Sequence, residues 1–272
     1  MEHTLTVNDG TLAWDDVGPQ DASQVVVLLH GFPHDRTLWR FQIEQRAAAF
    51  PQVRLLIPDL PGFGRSTALE NPSMDGFADS IASLLDAAGV ERAVIAGLSM
   101  GGYIAFAFWR KHASRVRALI LIDTKADPDT ESGRASRRAL ITTVECDGVV
   151  VAVAGMLEQQ LGATTRADRP ALADAVAEML RRAPARGVIG AAQALMNRPS
   201  STETLSTVTV PTLVLVGIED TLTPPTDAFA MAAALPRSRL VTIADAGHLA
   251  PLEQPATVNA AIAEFLEVAL GE

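Results

Sequence analysis

Apolar positions along this chain follow two rhythms. Short, nearly unbroken runs stand at Val25-Val26-Val27-Leu28-Leu29, Val53-Arg54-Leu55-Leu56-Ile57, Ala93 to Ala96 and Ala118-Leu119-Ile120-Leu121-Ile122. Runs of that length without polar alternation fit strands covered on both faces, the habit of a buried parallel sheet. Between them the apolar spacing stretches to that of helices. This holds for Thr37 to Phe50, for Phe77, Ile81, Leu84 and Leu85 behind Ser73-Met74-Asp75-Gly76 and ending at Gly89, and for about Gly101 to His112. At the start, His3 to Asn8 alternates, Asp9-Gly10 is a hairpin turn signal and Thr11 to Asp15 returns. Strand and helix thus alternate.

The alternation stops at about Lys125. Up to Thr207 the chain is rich in Ala, Arg and Leu at helical spacing, as in Ala171 to Leu180, with no strong buried strand. The strand pattern resumes at Thr212-Leu213-Val214-Leu215-Val216 and Ser238 to Ile243, with helices near Asp227 to Ala234 and Pro255 to Leu270. These segments predict an α/β core of residues 1–124 and 208–272, interrupted by a helical cap over 125–207. The sequence carries no internal repeat and no low-complexity linker.

Composition narrows the classes. The 272 residues are 48% hydrophobic, ample for a large core, and 32 acidic against 22 basic residues give a net charge of -10. That charge repels phosphate backbones and anionic lipid surfaces, so neither nucleic acid nor a membrane is an expected partner. Cys146 is the single cysteine, so no internal disulfide is expected. The N-terminal stretch lacks signal-peptide character, and no apolar run reaches the roughly 20 residues of a membrane span. A soluble, cytoplasmic protein is expected.

The chemistry centres on Gly97-Leu98-Ser99-Met100-Gly101, a G-x-S-x-G pattern placed after a strand and before a helix. A sharp turn there strains the serine backbone and crowds its neighbours. Glycine two positions to either side avoids collision, and Ala96 and Gly102 ease the approach of helix to strand. A serine hydroxyl is a weak nucleophile at neutral pH and needs a base that is itself oriented by an acid. Of the five histidines, His248 follows the last strand beside Gly247 and is the expected base. His3 and His112 read as solvated, and His30 as a brace of its own loop. The expected acid is Asp220, just beyond the strand at 212–216, at the edge where open α/β sheets gather ligands. Glu219, Asp245 and above all Asp123 are its rivals.

An oxyanion needs aimed donors, and the backbone N–H groups of Phe32 and Met100 are expected to supply them. Trp39 and Tyr103 flank this machinery as candidate pocket residues, and Met156, Leu157, Leu161 or Met196 could add wall from the cap. The cap arginines Arg134, Arg137, Arg138, Arg181 and Arg182 are interspersed with acids and read as a solvated face rather than a carboxylate site. No Cys/His cluster calls for a metal, and no cofactor is expected.

Taken in order, His30-Gly31-Phe32-Pro33, Asp59-Leu60-Pro61-Gly62-Phe63-Gly64-Arg65-Ser66, Gly97 to Gly102, Gly217-Ile218-Glu219-Asp220 and Gly247-His248 span nearly the whole chain. Together they resemble the α/β-hydrolase superfamily, in its branch with a helical cap. The resemblance implies a mostly parallel eight-stranded sheet flanked by helices, with the cap inserted between strands 6 and 7. Ser99 departs from haloalkane dehalogenases and epoxide hydrolases, which the resemblance associates with an aspartate nucleophile. Leu98 to Gly102 and Leu121 to Asp127 are similar to esterases and lactonases of the 3-oxoadipate enol-lactonase kind. The implied activity is hydrolysis of carboxylic esters of small or medium apolar substrates through an acyl-enzyme. Opening of a small lactone is the alternative, followed by serine-dependent C–C hydrolysis or perhydrolysis. A ligand-binding receptor with little turnover is the reading from another class.

Overall fold

The sheet is built from β1 (Glu2–Val7), β2 (Gly10–Val17), β3 (Gln24–Leu29), β4 (Val53–Pro58), β5 (Ala93–Leu98), β6 (Val116–Ile122), β7 (Thr212–Gly217) and β8 (Ser238–Ile243). They stand in the order β1-β2-β4-β3-β5-β6-β7-β8. β2 runs antiparallel to both its neighbours, β1 and β4, while every pair from β4 to β8 is parallel. The computed structural model describes residues 1–7 and 10–271. Asn8, the end of the expected first strand, and Asp9 of the expected hairpin turn lie outside the described residues.

Every residue from Val25 to Leu29 and from Val116 to Ile122 except Arg117 is buried, so both alternating sets of side chains are covered. That accounts for the unbroken apolar runs, since successive strand residues point to opposite faces. The helices Met74–Ala87 and Met100–His112 pack on each other, and Pro255–Leu270 packs against the segment Arg36–Ala49 and on β7 and β8. Ser73 caps the first of these, its hydroxyl accepting from the Gly76 N–H at 3.0 Å, so the helix begins at Met74, itself a core residue.

The expected helix over Thr37 to Phe50 is instead three short pieces: a 3₁₀ turn at Arg36–Trp39 and α-helical turns at Arg40–Glu44 and Arg46–Ala49. Leu38 and Trp39, in the first of these turns, are both buried in the core.

Between β6 and β7 the described chain is helical. Its longer helices are Glu131–Asp147, Pro170–Arg181 and Ala185–Met196, the first and last packed together, with short helical turns at Val149–Ala152, Met156–Gln160, Ala163–Asp168 and Thr202–Leu205. Among the described residues no helix is long and apolar enough to cross a membrane. The loops after β3, β7 and β8 bond to this helical segment at Phe32, Glu219 and His248, and that edge is where an open parallel sheet offers a crevice.

Candidate active site

Beyond Leu98, the last residue of β5, the chain turns directly into the helix Met100–His112, leaving Ser99 at the bend with φ 54° and ψ -112°. A non-glycine residue so placed carries strain on the order of 1–3 kcal/mol. Hydrogen bonds on both sides hold it there. The Ser99 N–H donates to Ile122 O at 2.9 Å, and the Ser99 carbonyl accepts from the Gly102 N–H at 2.9 Å and the Thr124 hydroxyl at 2.8 Å. A Cβ on Gly97 would meet the Gly101 backbone, and one on Gly101 would meet the Leu29 backbone, so the bend closes only with glycine at both.

Ser99 Oγ lies 2.8 Å from His248 Nε2, and His248 Nδ1 lies 2.8 Å from Asp220 Oδ2. A carboxylate only accepts, so Nδ1 carries the proton and Nε2 is left to accept from the serine hydroxyl. Asp220 is fixed in turn by the Leu222 and Thr223 N–H groups on Oδ1, at 2.8 and 3.0 Å, and by the Thr223 hydroxyl on Oδ2 at 2.6 Å. Burial pushes the Asp220 carboxyl up, but the neighbouring His248 charge and these hydrogen bonds outweigh it and hold its pKa below the ordinary value. Burial likewise pulls His248 down, and the Asp220 carboxylate overcomes it, so the imidazole titrates above 6.5.

The rival acids lie elsewhere. Asp123, at φ 44°, accepts from the Gly217 N–H at 2.8 Å and the Ala250 N–H at 3.2 Å, tying the end of β7 to the loop after His248. Burial and the charge of Asp220 push its pKa well up, and its oxygens face those two backbone donors, whereas His248 Nδ1 faces Asp220. Glu219 receives the Thr164 N–H at 2.9 Å, and Asp245 is exposed. His30 is satisfied within its own loop, donating from Nδ1 to Gly31 O at 3.0 Å and accepting the Leu60 N–H at Nε2, 2.9 Å away.

The loop after β3 lies against the bend: a Cβ on Gly31 would come within 2.7 Å of Leu98 Cδ2 and 3.3 Å of Ser99 Cβ. The N–H groups of Phe32 and Met100 have no hydrogen-bond partner among the described residues. Both residues border a cavity of about 510 Å³ that opens on Ser99 and His248. Tyr103 lines it too, with the Arg198 guanidinium 4.2 Å above its ring. Trp39 does not line it: the residue is fully buried in the core, which corrects the expectation that it flanks the pocket. From the helical segment Met156 reaches the cavity, whereas Leu157, Leu161 and Met196 do not, and Leu140 and Leu195 take their place.

The lining also carries charge, from Lys125, Asp129 and Arg137. Arg137 is therefore not part of a solvated face. It sits on the helix Glu131–Asp147 at three- and four-residue spacing with Gly133 and Leu140, which share the cavity wall. Arg138 and Arg181 do pair at the surface, with Glu131 and Glu178. Burial raises Asp129, but hydrogen bonds from Arg137 at 2.5 Å and Arg198 at 2.6 Å hold it below its ordinary value. Sequence reasoning passed over Thr223 and Gln160. The first had a local signal, since a hydroxyl three residues after an aspartate is a turn pattern. The second had none.

Comparison with known proteins agrees with this architecture. Residues 26–261 match the model of the "Alpha/beta hydrolase family". The chain is 29% identical over 245 residues to 3-oxoadipate enol-lactonase 1 of Acinetobacter baylyi, covering 90% of this chain and 89% of that one. A thermophilic esterase from Thermogutta terrifontis, solved with malate bound, is 38% identical with a TM-score of 0.91, covering 99% of each chain. The enol-lactonase of Burkholderia xenovorans LB400 shares the fold, with a TM-score of 0.89 at 22% identity over 97% of this chain and 99% of that one. The eight-stranded sheet, the serine bend and the matched span together place this chain in the alpha/beta hydrolase family.

Proposed function

We propose that this hydrolase cleaves carboxylic esters of small or medium apolar substrates through an acyl-enzyme formed on Ser99. The observation that carries the reading is the unbroken relay from Ser99 Oγ through His248 to Asp220, with 2.8 Å at each step, opening on the cavity. His248 takes the hydroxyl proton as Ser99 attacks the carbonyl carbon. Asp220 keeps the imidazole in the tautomer that can accept it and stabilises the imidazolium. The Phe32 and Met100 N–H groups receive the negative oxygen, and His248 returns the proton to the departing alcohol. Water then repeats the cycle on the acyl-enzyme. Residues 125–207 act as a cap on the core of 1–124 and 208–272, supplying the wall that selects the acyl group. The likeness to a solved esterase supports the substrate class.

A second reading, opening of a small lactone that carries a carboxylate, is favoured by Lys125 and Arg137 in the cavity wall and by the likeness to an enol-lactonase. The test of the first reading is labelling with a fluorophosphonate beside initial rates on p-nitrophenyl esters and small lactones. Wild-type protein should take one label and turn over. Ser99→Ala should take none and lose a factor of about 10⁴–10⁶ in kcat. Labelling that survives Ser99→Ala would sink the assignment.

A further inference from the structure

Gln160, at the end of the helical turn Met156–Gln160, touches each side of the candidate machinery. Its side-chain Nε2 lies 3.2 Å from Phe32 O, its Oε1 lies 3.0 Å from His34 Nε2, and its backbone carbonyl accepts the His248 N–H at 2.9 Å. The residue is buried yet lines the cavity.

The orientation of the amide follows from its partners. A peptide carbonyl only accepts, so the NH₂ group must face Phe32 O and Oε1 must face His34. His34 then carries its proton on Nε2, leaving the buried Nδ1 as an acceptor without a partner among the described residues. Burial pulls the His34 pKa down to about 4, so the ring stays neutral and keeps this single tautomer across the working range.

Neighbouring residues fasten the same stretch of chain to the same loops. The Gly162 N–H donates to Glu253 Oε2 at 2.8 Å, while Glu253 Oε1 receives the Gly247 and Leu249 N–H groups on either side of His248, at 2.9 and 3.0 Å. The Thr164 N–H donates to Glu219, the residue before Asp220.

We infer that Gln160 is a positioning residue: from the helical segment it fixes the carbonyl of Phe32, and with it the aim of the Phe32 N–H at the oxyanion, while its own carbonyl seats the His248 loop. The inference rests on the serine reading above and adds to it the residue that sets the oxyanion loop. A misplacement of about 1 Å at a reacting centre costs on the order of 10²-fold in rate, so loss of the side chain should show in turnover more than in binding.

The experiment compares wild type with Gln160→Met, which keeps bulk but cannot donate to Phe32 O, and Gln160→Glu, which keeps shape and the His34 contact but presents only acceptors at neutral pH. The readouts are kcat and KM on a p-nitrophenyl ester, Ki for a trifluoromethyl ketone whose hemiketal oxygen mimics the oxyanion, and Tm. Both variants should lose roughly 10- to 100-fold in kcat with KM within about threefold, and Ki should rise by a similar factor at near wild-type Tm. Unchanged kcat and Ki, or a loss of activity that only follows a fall in Tm, overturns the role. Fluorophosphonate labelling of wild-type Ser99 runs alongside. Its failure brings down the serine reading and this inference with it, whereas labelled wild type with unaffected variants overturns Gln160 alone.

Discussion

At the scale of single residues, the proposed mechanism makes the coupling of Asp220 and His248 tie both rate and stability to pH. If His248 is the base, as proposed, it must be neutral; its pKa is raised from 6.5, so kcat/KM should rise with pH through an acid limb above that value. Asp220→Asn removes the main influence that raises the imidazole. Burial then prevails, the limb should move to lower pH, and kcat should fall by about 10⁴ as the tautomer is lost. A limb that stays in place in this variant would show that another group sets it. Stability runs the other way. The His248 pKa is raised on folding, so its contribution is complete below 6.5 and is lost as pH rises through the folded value. Asp220 is depressed, so its contribution is present above 3.8 and is lost as pH falls through the lower folded value. Thermal unfolding across pH 4–9 should therefore show the pair stabilising most near pH 4–6.5, where the site is least active. Ser99, His248 and Asp220, which the structure brings within hydrogen-bond distance, were legible as candidates because each follows a strand end, whereas Gln160 ends a short helical turn and carries no such local pattern.

At the scale of elements, the buried strands were readable because a parallel sheet covered on both faces demands unbroken apolar runs, and each such run is a strand. Helix limits were less so. The segment at 37–50 had helical spacing but breaks into three pieces, a 3₁₀ turn and two α-helical turns. In the alanine-rich stretch, propensity is high throughout and marks no ends. The signals there were Gly148, Gly155 and Gly162, each standing just before a short helical turn. The same stretch leans on Glu253, which is fully buried and accepts three backbone N–H groups from two different loops. Glu253→Ala leaves those donors without a partner at about 1–3 kcal/mol each. Calorimetry should find Tm lower by on the order of 10 °C, since 1 kcal/mol corresponds to roughly 2–4 °C in a chain of this size. Glu253→Gln, which keeps one acceptor, should lose less. A Tm within about 2 °C of wild type for the alanine variant would mean that water replaces the carboxylate freely and that the loops hold themselves.

At the scale of the whole molecule, the net charge of the chain does not describe the wall of the cavity. The chain carries a net charge of -10, yet the cavity wall carries two cations, Lys125 and Arg137, and one carboxylate, Asp129, which pairs with Arg137 and with Arg198. Net charge read from the sequence therefore described the long-range field and said nothing of the wall a substrate meets. Asp129 already engages both arginines, while Lys125 forms no salt bridge among the described residues, so Lys125 is the cation available to a ligand. This separates the two substrate readings. A hydrogen bond to a charged group contributes about 1.5–3 kcal/mol, or roughly 10- to 100-fold. Lys125→Met should therefore lower kcat/KM by at least about 10-fold on a lactone bearing a free carboxylate, with neutral p-nitrophenyl butyrate within about threefold. Equal losses on the two substrates would remove the support for the lactone reading and return Lys125 to a packing role. A selective loss would mean that the cavity recognises an acid against the repulsion of the molecule that surrounds it.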